Sequence, residues 1–477
     1  MEGLLASLNI STVLIFLVVF LIGYRWLTTP KNLPPGPPGL PLVGNMLSFL
    51  KAGPRILELL HEWHVQYGDV FTITMGDKRM VFVKSNKSDI FSGRPSNLHV
   101  VHTLTEHTGQ GVLFSEGPKW KELRRVTLMT MRDFGMGKKT IEERIQDEAR
   151  AVMGVLDIGQ GQPICMKPLL TSFTSNIICS IIFGKRFDYD DPVFKELTSL
   201  LTEAVAMPVM FLPVNFLSCL RFLPAVKRKV QEFIDAFLSV DAYLEGLLKD
   251  HEETFDPDNI RDFVDLYIKT SRESEDKHLY TARNMRRVIL DLFGAGTETT
   301  STTLDWLVLY MVAYPDVQKR CQKEIDEVLG QSRLVTMADR SNLPYIEAVL
   351  TEMLRCVPIA PVGVPHVAVR EGKVGGYTVP VNTIIMPNIG EIHKDPVTWT
   401  DPDTFRPERF LDQDGKFQPP KDNYIPFSLG PRVCLGEALA KMDLFILFSS
   451  LIQFYTFTMD KGRQPNLKGN MGITYSA

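Results

Sequence analysis

The stretch that decides the fold is Phe427-Ser-Leu-Gly-Pro-Arg-Val-Cys-Leu-Gly436. A helical apolar pattern follows at once, with Leu435, Ala438, Leu439, Met442, Phe445 and Ile446 recurring at helix spacing. Cys434 is therefore expected at a helix N-terminus, where the dipole and free N–H groups favour a thiolate. Gly430 and Gly436 let backbone come close to something flat or bulky. Arg432, two residues before the cysteine, can reach an anionic group. Chemically this is a site for a Cys-ligated metal centre with an acidic rim. A lone Cys at a helix start would otherwise read as a buried small apolar residue.

Composition bounds the rest. The chain has 477 residues, 44% hydrophobic and 23% charged, with Gly 33 and Pro 31, which excludes disordered and collagen-like chains. The formal charge of −4 argues against a nucleic-acid protein driven by bulk charge. Cysteines 165, 179, 219, 321, 356 and 434 are far apart, with no C-x-x-C pair. That is neither a disulfide scaffold nor a zinc ribbon, and it fits a reducing compartment.

Leu4 to Gly23 is an uncharged run of 20 residues containing Val13-Leu-Ile-Phe-Leu-Val-Val-Phe-Leu-Ile22. At about 1.5 Å per residue it spans about one bilayer core. A cleaved signal peptide would have a basic start and a shorter apolar region, whereas Glu2 precedes this run and Tyr24-Arg25-Trp26 follows it. A buried core helix is the other alternative. Arg25 and Lys31 lie after the span, which puts the bulk of the chain in the cytosol. Residues 30–41 then hold six prolines in twelve positions, a stiff extended spacer. The expected organisation is an anchor helix over 1–27, a Pro-rich hinge over 28–44 and one large domain over 45–477.

The domain reads as mainly α, an α+β chain with helices segregated from a small sheet. Helical periodicity covers Trp120–Met131, Thr140–Leu156, Val226–Leu248 and Ala282–Ala313. Alternation predicts strands at Val70–Met75, Arg79–Val83, Val367–Val369 and Thr383–Met386. Loops are expected at 251–260 and 395–425. No G-x-G-x-x-G opens a helix after a strand, so a built-in dinucleotide domain is unsupported.

Three more motifs carry chemistry. Ala295-Gly-Thr-Glu-Thr-Thr300 lies inside the longest helical pattern. Gly294, Ala295 and Gly296 sit mid-helix, where each glycine costs about 1 kcal/mol against alanine. A planar cofactor on the helix or a groove for dioxygen would use the missing side chains; helix packing is the other account. Glu298 beside Thr299 is a carboxylate next to a hydroxyl, a pair able to relay protons. Glu352-Met-Leu-Arg355 places both charges on one helix face. Trp120-Lys-Glu-Leu-Arg124 does the same for its ends, and Arg suits bidentate carboxylate binding.

Taken together the chain resembles the cytochrome P-450 superfamily, in which haem iron takes one Cys thiolate. The anchor, the P-P-G-P hinge, W-x-x-x-R, acid–Thr, E-x-x-R, P-E-R-F and the Cys string occur in family order. Asn176-Ile-Ile-Cys-Ser-Ile-Ile-Phe-Gly184 and Asp291 to Thr303 look like the animal microsomal, family-two-type enzymes.

The resemblance implies haem b between a long central helix and the Cys loop. Cys434 is the iron ligand, Glu298 and Thr299 the catalytic pair. Arg432, Trp120, Arg124, His366, Ala295, Phe427 and Gly436 are the other haem contacts. Glu352, Arg355 and Arg409 form a structural network behind the loop. By family position Leu113, Phe114, Val205, Phe211, Asp291, Ile359, Ala360, Val362 and Ile473 line the substrate space. Asp291 could bind an amine or hold the nearby loop.

The implied reaction is NADPH-dependent monooxygenation of a hydrophobic xenobiotic, fatty acid or steroid at the endoplasmic reticulum membrane. Electrons would come from NADPH-cytochrome P-450 reductase or cytochrome b5. Lys119, Lys121, Arg125 and Arg132 offer a basic face for an acidic donor or are simply solvated. The alternative is a membrane-tethered haem carrier or gas sensor without turnover, against which Glu298–Thr299 argues.

Overall fold

The computed structural model describes residues 30–477 apart from 85–88, 97, 105–108, 135–138, 160, 207–210, 277 and 421; of the first 29 residues it describes 12, 13, 15, 16, 19, 20 and 23, all helical. Among the described residues no helix is long and apolar enough to cross a membrane. The expected anchor over 1–27 lies largely outside them, as does the side chain of Val205.

Helices α1 (Met46–Ala52) and α2 (Ile56–Tyr67) precede the hairpin β1 (Val70–Met75) and β2 (Lys78–Val83). The helical body follows: α3 (His99–Leu104), α4 (Gly117–Asp133), α5 (Lys139–Gly159), α6 (Met166–Ile182), α7 (Pro192–Ala206), α8 (Pro224–Glu253), α9 (Phe263–Glu273), α10 (Ala282–Ala313), α11 (Pro315–Val328) and α12 (Pro344–Cys356). Short strands β3 (His366–Val367), β4 (Gly372–Val374), β5 (Tyr377–Val379) and β6 (Ile384–Pro387) lead to α13 (Ile389–His393) and α14 (Glu437–Phe454). A last pair, β7 (Asn470–Met471) and β8 (Tyr475–Ser476), closes the chain.

The main sheet runs β1-β2-β6-β3. β1 and β2 are antiparallel, with Met75 opposite Lys78. β6 lies parallel to β2 and antiparallel to β3, with His366 opposite Ile385. The tight turn needs Gly76: its φ is 57°, and a Cβ would sit 2.1 Å from the Phe216 carbonyl oxygen.

α10 begins where the Thr281 hydroxyl accepts the Asn284 N–H at 3.1 Å, an N-cap. It ends at Tyr314, because Pro315 opens the next helix and disfavours helical backbone before it. α6 packs along it. Thirteen of the seventeen α6 residues are buried, so this helix is core on nearly every side. Burying its Ile177, Ile181 and Ile182 contributes about 1.5–3 kcal/mol each. α10, α6, α12 and α14 share the largest hydrophobic cluster, and a second cluster joins the sheet to α1 and α2.

Candidate active site

The Cys434 loop is held by its own backbone. The Cys434 N–H donates to Phe427 C=O at 3.0 Å and the Val433 N–H to Gly430 C=O at 3.1 Å. Ser428 and Gly430 take positive φ, 64° and 79°, to make the turn. α14 starts at Glu437 with Gly436 as its N-cap residue, so Cys434 sits just ahead of the helix. Burial pushes the Cys434 thiol up; the Gly436 and Glu437 N–H groups and Arg124 pull it back only in part. The helix start alone therefore does not make the thiolate, and a bound metal would do so by taking the proton's place. By area Cys434 is exposed, yet protein surrounds the sulfur closely enough to raise it.

α4 stands against this loop. Arg124 Nη2 donates to Val433 C=O at 2.6 Å. The Arg432 guanidinium lies 3.9 Å from the Trp120 ring centre, a stacked cation. Arg432 also donates to the carbonyls of Ser92 (2.9 Å), Val112 (3.2 Å) and Ser115 (2.6 Å). His366 is buried, with Nδ1 2.7 Å from Phe91 C=O. Burial, then Arg94 and Arg432, push its pKa down to about 3, so the ring is neutral.

Arg94, in Ser92-Gly-Arg94-Pro, belongs to this group, and the motif reading misses it. It is buried and donates to Leu113 C=O at 3.0 Å and Pro365 C=O at 2.7 Å. No local spacing marks it; the signal is an arginine within a short Gly/Pro-bounded segment. Burial pushes Arg94 down to about 10 and Arg432 down to about 8, and the arginines lower one another. Both guanidiniums keep their proton; burial is the main cost of placing them here, and the neighbouring arginines add to it. Glu116 and Asp291 are the anions acting on the cluster.

The distal wall is built on α10. Asp291 Oδ2 accepts the N–H groups of Val112 and Leu113, both at 2.8 Å, and Asn284 Oδ1 accepts that of Gly111 at 3.0 Å. Of the two roles open to Asp291, the geometry is that of loop anchor. Burial raises it to about 7 despite those two hydrogen bonds. Segment 111–115 thus ties α10 to Arg432 and the Cys loop.

Ala295 and Thr299 are exposed, one turn apart, on a helix that is otherwise mostly buried. The Thr299 hydroxyl donates to Ala295 C=O at 2.7 Å. Glu298 is buried and turned to other partners: its Oε1 accepts from Lys167 Nζ (3.2 Å), Thr302 (2.8 Å) and Thr474 (3.3 Å). Lys167 is the second residue the motif reading misses; its signal is a lone cation at the start of an apolar helix. Gly296 has a packing explanation: a Cβ there would lie 2.5 Å from Ile178 Cδ1, so the missing side chain seats α10 on α6. A Cβ on Gly294 would make ordinary contact with Leu201 at 3.5 Å, so packing does not require that glycine. Ala295 is the small residue on the open side.

The E-x-x-R motif closes as expected. Arg355 Nε and Nη2 reach the two Glu352 oxygens at 2.7 and 2.9 Å, and Arg409 Nε reaches Oε1 at 2.8 Å. The remaining apolar candidates divide. Phe211, Ile359 and Val362 are buried, Phe211 stacked on Phe49 at 5.4 Å between ring centres. Leu113, Phe114 and Ala360 are half-buried and Ile473 is exposed. Phe427 is half-buried beneath Lys441, 5.4 Å from its ring centre.

Three features of the residues present fit a flat, dianionic, iron-bearing group. Trp120 Nε1 is buried with no hydrogen-bond partner among the described residues. Buried Arg94 and Arg432, with Arg124 beside them, exceed their anions. A Cβ on Gly436 would meet no protein atom within 4 Å, which leaves space beside the thiol.

The comparisons agree with this geometry. The chain is 36% identical to cytochrome P450 2J3 of Rattus norvegicus over 469 residues, covering 96% of this chain and 92% of that protein. It is 38% identical to cytochrome P450 2B4 of Oryctolagus cuniculus over 467 residues, 93% and 92% of the two chains. Cytochrome P450 2J5 of Mus musculus is 36% identical over 482 residues, 98% and 95%. The cytochrome P450 family profile matches residues 34–475, and the chain belongs to that family: it is a monooxygenase whose haem b is held by a cysteine thiolate.

Proposed function

We propose that this protein inserts one oxygen atom from O2 into a hydrophobic small molecule at the endoplasmic reticulum membrane, with electrons from NADPH through a separate flavoprotein reductase or cytochrome b5. The observation that carries the reading is the open stripe of Ala295 and Thr299 on a buried helix, walled by the segment that Asp291 and Arg432 share. The organisation that goes with it is an anchor helix over 1–27, a hinge over 28–44 and the catalytic domain over 45–477. Exposed Val13, Ile15, Phe16, Val19 and Phe20 support the anchor.

Bound haem supplies the redox centre at which dioxygen is reduced. The protein does the rest. Cys434 gives the thiolate. Trp120 Nε1, Arg124, Arg432 and His366 would hold the carboxylates at the rim, where an anion would offset the Arg94 and Arg432 charges that add to burial in keeping His366 neutral. The Thr299 hydroxyl holds and passes a proton at its Oγ, and Glu298 stores one nearby. The apolar half-buried residues Leu113, Phe114 and Ala360, with Ile473 at the rim, orient an apolar substrate and exclude water.

The test is turnover of a 7-alkoxycoumarin probe by the full-length protein with reductase and NADPH. Thr299→Ala is expected to consume NADPH while product falls about 10-fold or more and peroxide rises. Unchanged product per NADPH would remove Thr299 from the relay, and no wild-type turnover of any hydrophobic probe would overturn the reading.

A further inference from the structure

Glu298, the acid of the proposed relay, does not stand alone. Lys167 lies near the N-terminus of α6, where the helix dipole disfavours a cation, and the rest of that helix is mainly apolar and buried. Its ammonium has three N–H donors, and α10 supplies three acceptors: Glu298 Oε1 at 3.2 Å, Ser301 Oγ at 3.0 Å and Thr302 Oγ1 at 2.5 Å. Thr302 in turn donates to Glu298 Oε1, and Thr474 does so from the C-terminal segment. One carboxylate oxygen is thus saturated. The other, Oε2, is buried without a partner among the described residues. The Lys167 side chain is 19% exposed against 5% for Glu298, so the ammonium, not the acid, touches solvent. Asp305, on the same face of α10, is the other charged group acting on Lys167.

We propose that Lys167 is a positioning residue for the monooxygenase chemistry: its ammonium holds Glu298 as an anchored carboxylate, with Oε1 fixed and Oε2 left as the oxygen that can take up a proton. This deepens the relay reading of Glu298–Thr299 and rests on it. A carboxylate buried this far is costly without a cation. Removing the ammonium should therefore drive Glu298 to its neutral form. Burial lowers the Lys167 ammonium pKa while Glu298 raises it, and the net shift is downward. The pair is thus tuned by burial as well as by charge.

The experiment compares wild type, Lys167→Met, Lys167→Arg and the double variant Lys167→Met/Glu298→Gln as haem-loaded, full-length protein. Infrared difference spectra from about pH 6 to about pH 9 read the carboxyl directly. Lys167→Met should show a new band of a neutral carboxylic acid that shifts in D2O; the double variant and Lys167→Arg should lack it. With reductase and the alkoxycoumarin probe, peroxide per NADPH should rise in Lys167→Met, most at the acid end, and stay near wild type in Lys167→Arg. A purely structural pair would lower stability and leave both readouts unchanged with pH.

No carboxyl band in Lys167→Met, a band that persists in the double variant, or peroxide yields equal to wild type at every pH would overturn the proposal. Should Lys167→Met not fold, the double variant decides. A peroxide yield equal to that of Glu298→Gln supports the proposal, and a clearly higher one overturns it. Lys167 does not touch the Cys434 loop, so a wild type lacking the thiolate spectrum would strike the function proposed above instead.

Discussion

Two buried arginine clusters differ in their anions. Behind the Cys434 loop, Arg355 and Arg409 converge on Glu352, whose Oε1 also accepts the Arg406 N–H. Burial pulls Arg355 down, Glu352 more than offsets it, and the net shift is upward. On the Trp120 side, Arg94, Arg124 and Arg432 lean on backbone carbonyls, and all three are shifted downward. The first cluster is complete as folded. In the second, among the described residues, no guanidinium pairs with a carboxylate and the Trp120 N–H has no partner. Direct pairing with a carboxylate, more than residue type, separates a structural network from a place suited to an anionic ligand.

The largest expected effect breaks the carboxylate-paired side. Arg355→Met leaves Glu352 as a buried charge with fewer partners, a loss of about 3–5 kcal/mol. Thermal unfolding should show a large drop in midpoint or no folded protein. A mild effect would mean that Arg409 and Arg406 suffice.

A smaller effect sharpens the carbonyl-bound side. Asp291 is one of the anions that act on Arg94. Its folded pKa, raised from 3.8 to about 7, means the folded chain binds a proton that the unfolded chain releases. Its contribution to stability is therefore full below the lower value and lost as pH rises through the upper one. Asp291→Asn should flatten this part of the stability–pH curve. It should keep most of the loop, since an amide oxygen still accepts the Val112 and Leu113 N–H groups; the cost is about 1 kcal/mol. An unchanged pH curve would show that another group titrates there.

Local pattern made much of this legible. The α10 boundaries and the strands β1 and β2 follow from periodicity, and the Glu352–Arg355 pair from its i,i+3 spacing; Arg409 joins that pair only through the family resemblance. α6 carries no amphipathic period because it is buried almost all round, so its individual role is hidden from a periodicity reading. Arg94 and Lys167 acquire their roles from contacts 19 to 271 and 131 to 135 residues away, which no local window contains. The glycines of α10 were legible as special, while the reason for Gly296 was tertiary: Ile178 occupies the space. Asp291 shows the same limit, since one carboxyl could serve a ligand or a loop until the Val112 and Leu113 N–H groups were located.

The central claim is that Cys434 holds haem iron as a thiolate. The most direct measurement is the dithionite-reduced, CO-bound difference spectrum of the full-length protein beside Cys434→Ala. The account predicts a strongly red-shifted Soret band in the wild type and its loss in the variant. A wild-type band at the position of histidine-ligated haem, or a red-shifted band that survives in Cys434→Ala, would contradict it.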